Sequence, residues 1–222
     1  MTTSNLTRAA GWLLIVSFVL CLIGGMTHPI VAGNAHSADS LTSAASPYAQ
    51  YLLLAGTVGL LIGLPILYGH FADRLGRLGL VGTLLYLVGN ATCAMAHLVV
   101  EAMVAVPLAA DPATRELIPA DGSLFASTGF QLTQMVGGPV LLLGQILLGV
   151  AVIRARSLPG WPGVLLIVGG LLALVPLPEI AVLAGVLFEL PRGLAVAALG
   201  WLMIKESRPA RTAAPVAEHQ PA

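Results

Sequence analysis

Charged residues divide the chain into long apolar blocks. Positions 9–38 hold 30 consecutive uncharged residues, 40–72 hold 33, 78–100 hold 23, 122–153 hold 32 and 157–178 hold 22. A last apolar block, 180–204, is broken only by Glu189 and Arg192. A helix needs about 20 apolar residues to cross a hydrocarbon core of about 30 Å. Each block therefore accommodates one crossing, and none comfortably accommodates two. The pattern predicts six spans, near 11–31, 48–71, 78–106, 128–153, 160–177 and 180–204. The blocks are continuous runs of Leu, Val, Ala and Gly, whereas barrel strands are shorter and alternate in polarity. Helices also satisfy their own backbone groups where lipid offers no partner. The expected fold is an all-α, polytopic transmembrane bundle over residues 1–204. A Pro- and Ala-rich tail, 205–222, is expected to be disordered.

The connections carry recognisable punctuation. Ser46-Pro47 suits a helix start, with Ser as the cap and Pro in the first turn. In the longest connection, about 107–127, Asp111 to Ile118 reads as a capped short helix ending before Pro119. Pro65, Pro139 and Pro191 stand inside the second, fourth and sixth spans, where each removes a backbone donor. Such kinks commonly serve packing. Gly59 and Gly63 form a GxxxG pair, which permits close helix approach. Spans one, three and five each follow an arginine and carry glycine, a weak repeat of three outward-then-inward hairpins.

Composition narrows the class. Hydrophobic residues make up 57% of the 222 and charged residues 9%, against roughly 25% charged in a soluble domain; mean hydropathy is +0.93. That excludes a soluble globular protein, a disordered chain and a nucleic-acid binder, and makes the lipid bilayer the first partner. Ten basic and ten acidic residues balance, so net charge points to no ligand. Position is more informative. Arg8, Arg74, Arg77, Arg154, Arg156, Lys205, Arg208 and Arg211 fall on one side of a six-span topology, and the opposite side holds only Arg115. The positive-inside rule then places both termini in the cytoplasm. Trp12, Trp161 and Trp201 fall at the cytoplasmic ends of their spans, at headgroup level. Span one followed by Gly33-Asn34-Ala35 also fits a cleaved signal peptide; its length and Trp12 favour an anchor.

Ionisable groups within the apolar blocks mark candidate chemistry, because a charge at mid-bilayer costs about 2.5 kcal/mol or more. Glu189 and Arg192 lie three apart on one helix face. They read either as a self-neutralising packing pair or as a charged cavity wall. His97 and Glu101 are four apart on another face. His28, His97, Glu101, Gln131 and Gln134 share an outer depth, with Glu179 at the outer start of the last span and Asn90 nearer mid-depth. The expectation is a polar cavity open to the outer side, lined by His28, Asn90, His97, Glu101, Gln131, Gln134, Glu189 and Arg192. Two imidazoles and a carboxylate (His28, His97, Glu101) suit zinc, and His28 with His97 suits the axial pair of a haem. No HxxxH or HExxH signature accompanies them, and for His97 alone helix packing is a better explanation than ligation. His36 and His219 are assigned to loop and tail, and His70 to headgroup level. Cys21 and Cys93 fall at mid-membrane, where thiols act as small apolar groups.

The segments Arg8-Ala9-Ala10-Gly11-Trp12, His28-Pro29 and Arg74-Leu75-Gly76-Arg77-Leu78-Gly79 have a pattern that resembles small bacterial six-helix integral membrane proteins of uncharacterised activity. The resemblance implies the six-span fold and an inner-membrane location, and nothing about chemistry. Three functions remain open. The first is a non-enzymatic protein for small-ligand binding, transport or an accessory role. The second is a metal- or haem-dependent membrane enzyme using His28, His97 and Glu101. The third is a structural membrane partner, whose polar groups specify helix packing or homo-oligomer contacts.

Overall fold

A computed structural model of the chain describes residues 3–175 and 180–207. Among the described residues the architecture is all-helical, with an isolated β-bridge between Val31 and Asn34. We number the main helices α1 (Thr3–Thr27), α2 (Ala38–Leu41), α3 (Tyr48–Ala110), α4 (Thr128–Arg154), α5 (Trp161–Leu172) and α6 (Leu183–Glu206). Four of them, α1, α3, α4 and α6, are long and apolar enough to cross a membrane. Such helices suit a membrane protein, as do the large apolar side chains left exposed around the bundle, among them Val16, Ile23, Ile62, Leu84, Val88 and Leu143.

The 63 residues of α3 would extend about 95 Å if straight. They do not, because Gly76 adopts φ 57°, ψ −159° and folds the helix back on itself. Only glycine enters that region without steric cost. The two arms, 48–75 and 77–110, lie antiparallel: Gln50 reaches Glu101, and Leu53 packs with Leu98. The second and third expected spans are thus the two arms of one hairpin. The remaining helices follow in chain order around a closed ring. The first arm packs on α1, the second on α4, α4 on α5, α5 on α6, and α6 back on α1.

Small residues bring these helices together. A Cβ on Gly63 would lie 2.4 Å from a methyl of Leu14, and one on Gly59 would lie 2.1 Å from the Ser17 hydroxyl. The GxxxG pair is therefore a contact surface for α1. At the α1–α6 crossing, a Cβ on Gly185 would lie 2.1 Å from the Gly25 carbonyl carbon. Pro65, Pro139 and Pro191 all stand inside helices.

The two ends of the ring differ. At one end Trp12 meets Trp201 edge-on at 6.3 Å, and Ser4 donates to the Ser207 carbonyl. Arg74 and His70 pair with Glu206 beside the Gly76 fold. Below them lies the main core, with Leu14, Leu64, Leu67, Phe71, Leu148 and Met203 fully buried. At the other end two loops, 28–47 and 111–127, meet over a smaller apolar cluster of Leu41, Ala105, Ala109, Ile118 and Leu124. An Arg115–Asp39 ion pair joins them outside.

Element bounds shift from the expected ones in several places. The span expected at 160–177 is helical over Trp161–Leu172 and turns at Ala173–Leu174. The chain after Ser46-Pro47 becomes helical at Tyr48, with Pro47 preceding the first turn and Ser46 outside it. The capped helix expected at 111–118 is a single 3₁₀ turn, Arg115–Leu117, after an Asp111 side chain that accepts from the Ala113 backbone. Glu179, Arg208, Arg211, His219 and most of the tail fall outside the described residues.

Candidate functional site

The site begins with a distortion of the helix that carries it. The second arm of α3 widens into π-helical turns at Asn90–Met95 and Glu101–Ala105, on either side of a short α segment bearing His97. Wide turns of this kind are rare and recur at functional sites. Here they frame His97 and present Glu101 inward, where its carboxylate is wholly buried.

Three side chains meet at that carboxylate, and a fourth, His36, touches one of them. His28, just past α1, places Nε2 2.8 Å from Glu101 Oε1. Gln50, in the first arm, donates from Nε2 to the same oxygen at 2.9 Å and to Ser46 Oγ at 3.0 Å. His97 Nε2 stands 3.7 Å from Glu101 Oε2. His36, from the first loop, places Nε2 3.1 Å from His97 Nε2. Glu101 Oε2 itself is buried and accepts no hydrogen bond.

Loop chemistry holds His36 in place. Its backbone N–H donates to Asn34 Oδ1 at 2.8 Å, and Ser40 Oγ donates to the Asn34 carbonyl while accepting from Val31 N. Its ring Nδ1 lies 3.2 Å from the Gly122 carbonyl of the second loop. Because a carbonyl only accepts, that contact requires Nδ1–H and leaves Nε2 a bare lone pair. Gly122 has φ 76°, and beside it Ser123 N donates to Asp121 Oδ1 at 2.9 Å. The Ser123 hydrogen bonds hold the Asp121 carboxyl below its usual range.

Below this cluster the ring encloses a cavity of about 520 Å³. All the main helical segments of the ring contribute walls: Gly25 of α1, Leu53 and Cys93 of the two α3 arms, Gln145 of α4, Gly169 of α5 and Phe188 of α6. His28, His36 and His97 line its end nearest the two loops, and Glu189 and Arg192 line its side. Most other walls are apolar. Arg192 grips Glu189 through two of its guanidinium nitrogens, Nε to Oε2 at 3.1 Å and Nη2 to Oε1. The pair is self-neutralised and also faces the cavity, so the two alternatives raised by its sequence spacing coexist.

Of the eight residues expected around one cavity, four line it: His28, His97, Glu189 and Arg192. Glu101 stands behind them, joined through His28. Asn90 is buried on the second arm, away from the cavity wall, with its amide nitrogen unpartnered. Gln134 accepts from the Cys93 thiol at 3.2 Å. Gln131 is exposed and reaches only the Phe125 carbonyl. Both thiols are free, Cys21 buried against Leu53 and Cys93 facing the cavity. His70 is at the opposite end, paired with Glu206.

Sequence reasoning missed His36, Gln50 and Gln145. His36 was set aside as a loop residue, although the loop starts at the depth of His28 and folds back over it. The His36 ring packs edge-on to both others, 6.1 Å from the His28 ring and 4.9 Å from the His97 ring. Comparison with protein-family models, curated proteins and solved structures finds no match to this chain.

Proposed function

We propose that the chain is a six-span protein of a bacterial inner membrane that binds a small ligand in a cavity within the outer half of its helical ring. Both termini are cytoplasmic in this reading. Arg8, Arg74, Arg77, Arg154, Arg156 and Lys205 all belong to the end that carries the Gly76 fold, which supports that orientation by the positive-inside rule. The carrying observation is the cavity itself. Its volume of about 520 Å³ falls among small-molecule sites, which are mostly apolar with a few convergent polar groups. The ligand this favours is a small, largely apolar molecule with a polar head directed at the histidines or at the Glu189–Arg192 pair.

The test fills the cavity. Ala184 lies on its wall, and Ala184→Phe would occupy it without removing any polar group. Native mass spectrometry of protein released from nanodiscs should find a co-purifying small molecule in the wild type and not in A184F. Identical spectra from two well-folded proteins would contradict the reading. A second reading, a metal-dependent membrane enzyme, is favoured by one observation, the gathering of three histidines and a carboxylate at the cavity's outer end.

A further inference from the structure

We infer that His28, His36, His97 and Glu101 together bind one divalent transition-metal ion of the zinc class, at the outer end of the cavity. The inference rests on the reading of that cavity as a binding site and names one component of what it holds.

The donor set comes first. Three imidazoles and one carboxylate form a borderline nitrogen-rich set suited to zinc, and poorly suited to calcium or magnesium, which take oxygen ligands. Distances come second. A tetrahedral zinc with bonds of about 2.0–2.1 Å holds its ligand atoms about 3.3 Å apart. The contacts here bracket that value: 3.1 Å for His36 Nε2 to His97 Nε2, 2.8 Å for His28 Nε2 to Glu101 Oε1, and 3.7 Å for His97 Nε2 to Glu101 Oε2. One donor atom from each of His28, His36 and Glu101 lies within 4.8 Å of the other two. Bringing these three onto one ion closes separations of at most 4.8 Å toward about 3.3 Å, and His97 joins from outside that trio through its contacts with His36 and Glu101.

Two further observations point to a cation specifically. Glu101 Oε2 is a fully buried carboxylate oxygen that accepts no hydrogen bond, an arrangement that native proteins rarely leave uncompensated. A bound cation on that oxygen removes the cost. The outer shell is also already built. His36 gives its Nδ1–H to the Gly122 carbonyl, which fixes the tautomer with Nε2 free to ligate, and Gln50 fixes the carboxylate. Supports of both kinds orient metal ligands. The His36–His97 contact reads in the metal-free protein as a proton on His97 Nε2 shared with the bare His36 nitrogen. Ligation through His97 Nε2 moves that proton to Nδ1 of the same ring, which stays neutral.

With the ion in place, the first loop is crosslinked through His28 and His36 to the second arm of α3, which carries His97 and Glu101, over the end of the cavity.

Full-length protein in nanodiscs, stripped with chelator and titrated with zinc chloride, tests this. The expected result is one zinc per chain, with affinity weakened by about 100-fold or more in Glu101→Gln and in His36→Ala. The second variant lies in a loop and leaves the helices intact, so it stays informative if E101Q folds poorly. Asp39→Asn, on the outer surface of the same loop, should leave affinity unchanged. Zinc binding that is equally tight in H36A, or lost equally in D39N, overturns the site, as does the absence of stoichiometric binding in the wild type. Loss of the metal result with the small molecule still retained and still displaced by A184F would leave the cavity reading standing. Zinc binding without any co-purifying molecule would do the reverse.

Discussion

The two halves of this ring use the same helices for different purposes. In the half around Leu67, Phe71, Leu148 and Met203 the helices are regular, the side chains wholly buried and the contacts apolar. In the other half the same α3 hairpin widens into π turns, a cavity of about 520 Å³ opens, and buried polar atoms go unpaired at Asn90, Glu101 and Gln134; in the first half the unpaired ones are the Thr83 and Tyr86 hydroxyls. Buried polar groups left unsatisfied cost stability. A helical ring able to pack tightly along one half had the means to do so along the other. In the proposed reading the difference marks the half kept open for binding, and it shows where the cohesion comes from.

The sharpest way to break this comparison is at the boundary between the halves. Arg192→Leu leaves Glu189 buried without its cation and should destabilise the fold by about 3–5 kcal/mol, read by reversible unfolding in mixed micelles. The double variant Glu189→Gln/Arg192→Leu should recover most of that loss. Equal instability in both would show that packing around the pair, not its charge, holds α6. Next in size is the closed half. Leu148→Ala should cost about 2–5 kcal/mol and leave zinc affinity as in the wild type; a large change in affinity would mean the halves are not separable.

Smaller effects belong to the open half. In metal-free protein Glu101→Gln keeps an acceptor for His28 and Gln50 and replaces the orphaned oxygen by an amide. Its stability should stay within about 1 kcal/mol of the wild type, on the stable side if it moves. A loss of several kcal/mol would show that the carboxylate is structural. Smallest of all is the surface pairing of Glu206 with Arg74 and His70, half-exposed beside the Gly76 fold. Glu206→Gln should change stability by at most about 1 kcal/mol, and less at high salt.

How much of this was legible in the sequence follows from what each feature depends on. Block lengths between charges depend on local composition, so the helical segments stood out, including both arms of α3. The reversal between the two arms is also local, since the basic connection 72–77 marks an end, although Gly76 as the residue that turns is seen only in the structure. Depth along the chain axis follows once the spans are known, which is why His28, His97 and Glu101 fall together as expected. Lateral position does not follow. Asn90, Gln131 and Gln134 have suitable depths but lie off the cavity wall, because which face of a helix turns inward is set by neighbours remote in sequence. The π turns bracketing His97 alter that facing again and leave no compositional trace. His36 was missed because a loop's path is fixed by Asn34, Ser40 and Gly122 acting together, and no periodicity encodes it.

The division between the halves is tested most directly by the zinc-induced shift in the unfolding transition, measured side by side for wild type, L148A and E101Q in nanodiscs. Zinc is expected to stabilise wild type and L148A by the same increment, although L148A starts from a lower stability, and to leave E101Q unmoved. An equal shift in all three proteins, or none in the wild type, would contradict a metal-binding open half carried on a separately packed closed one.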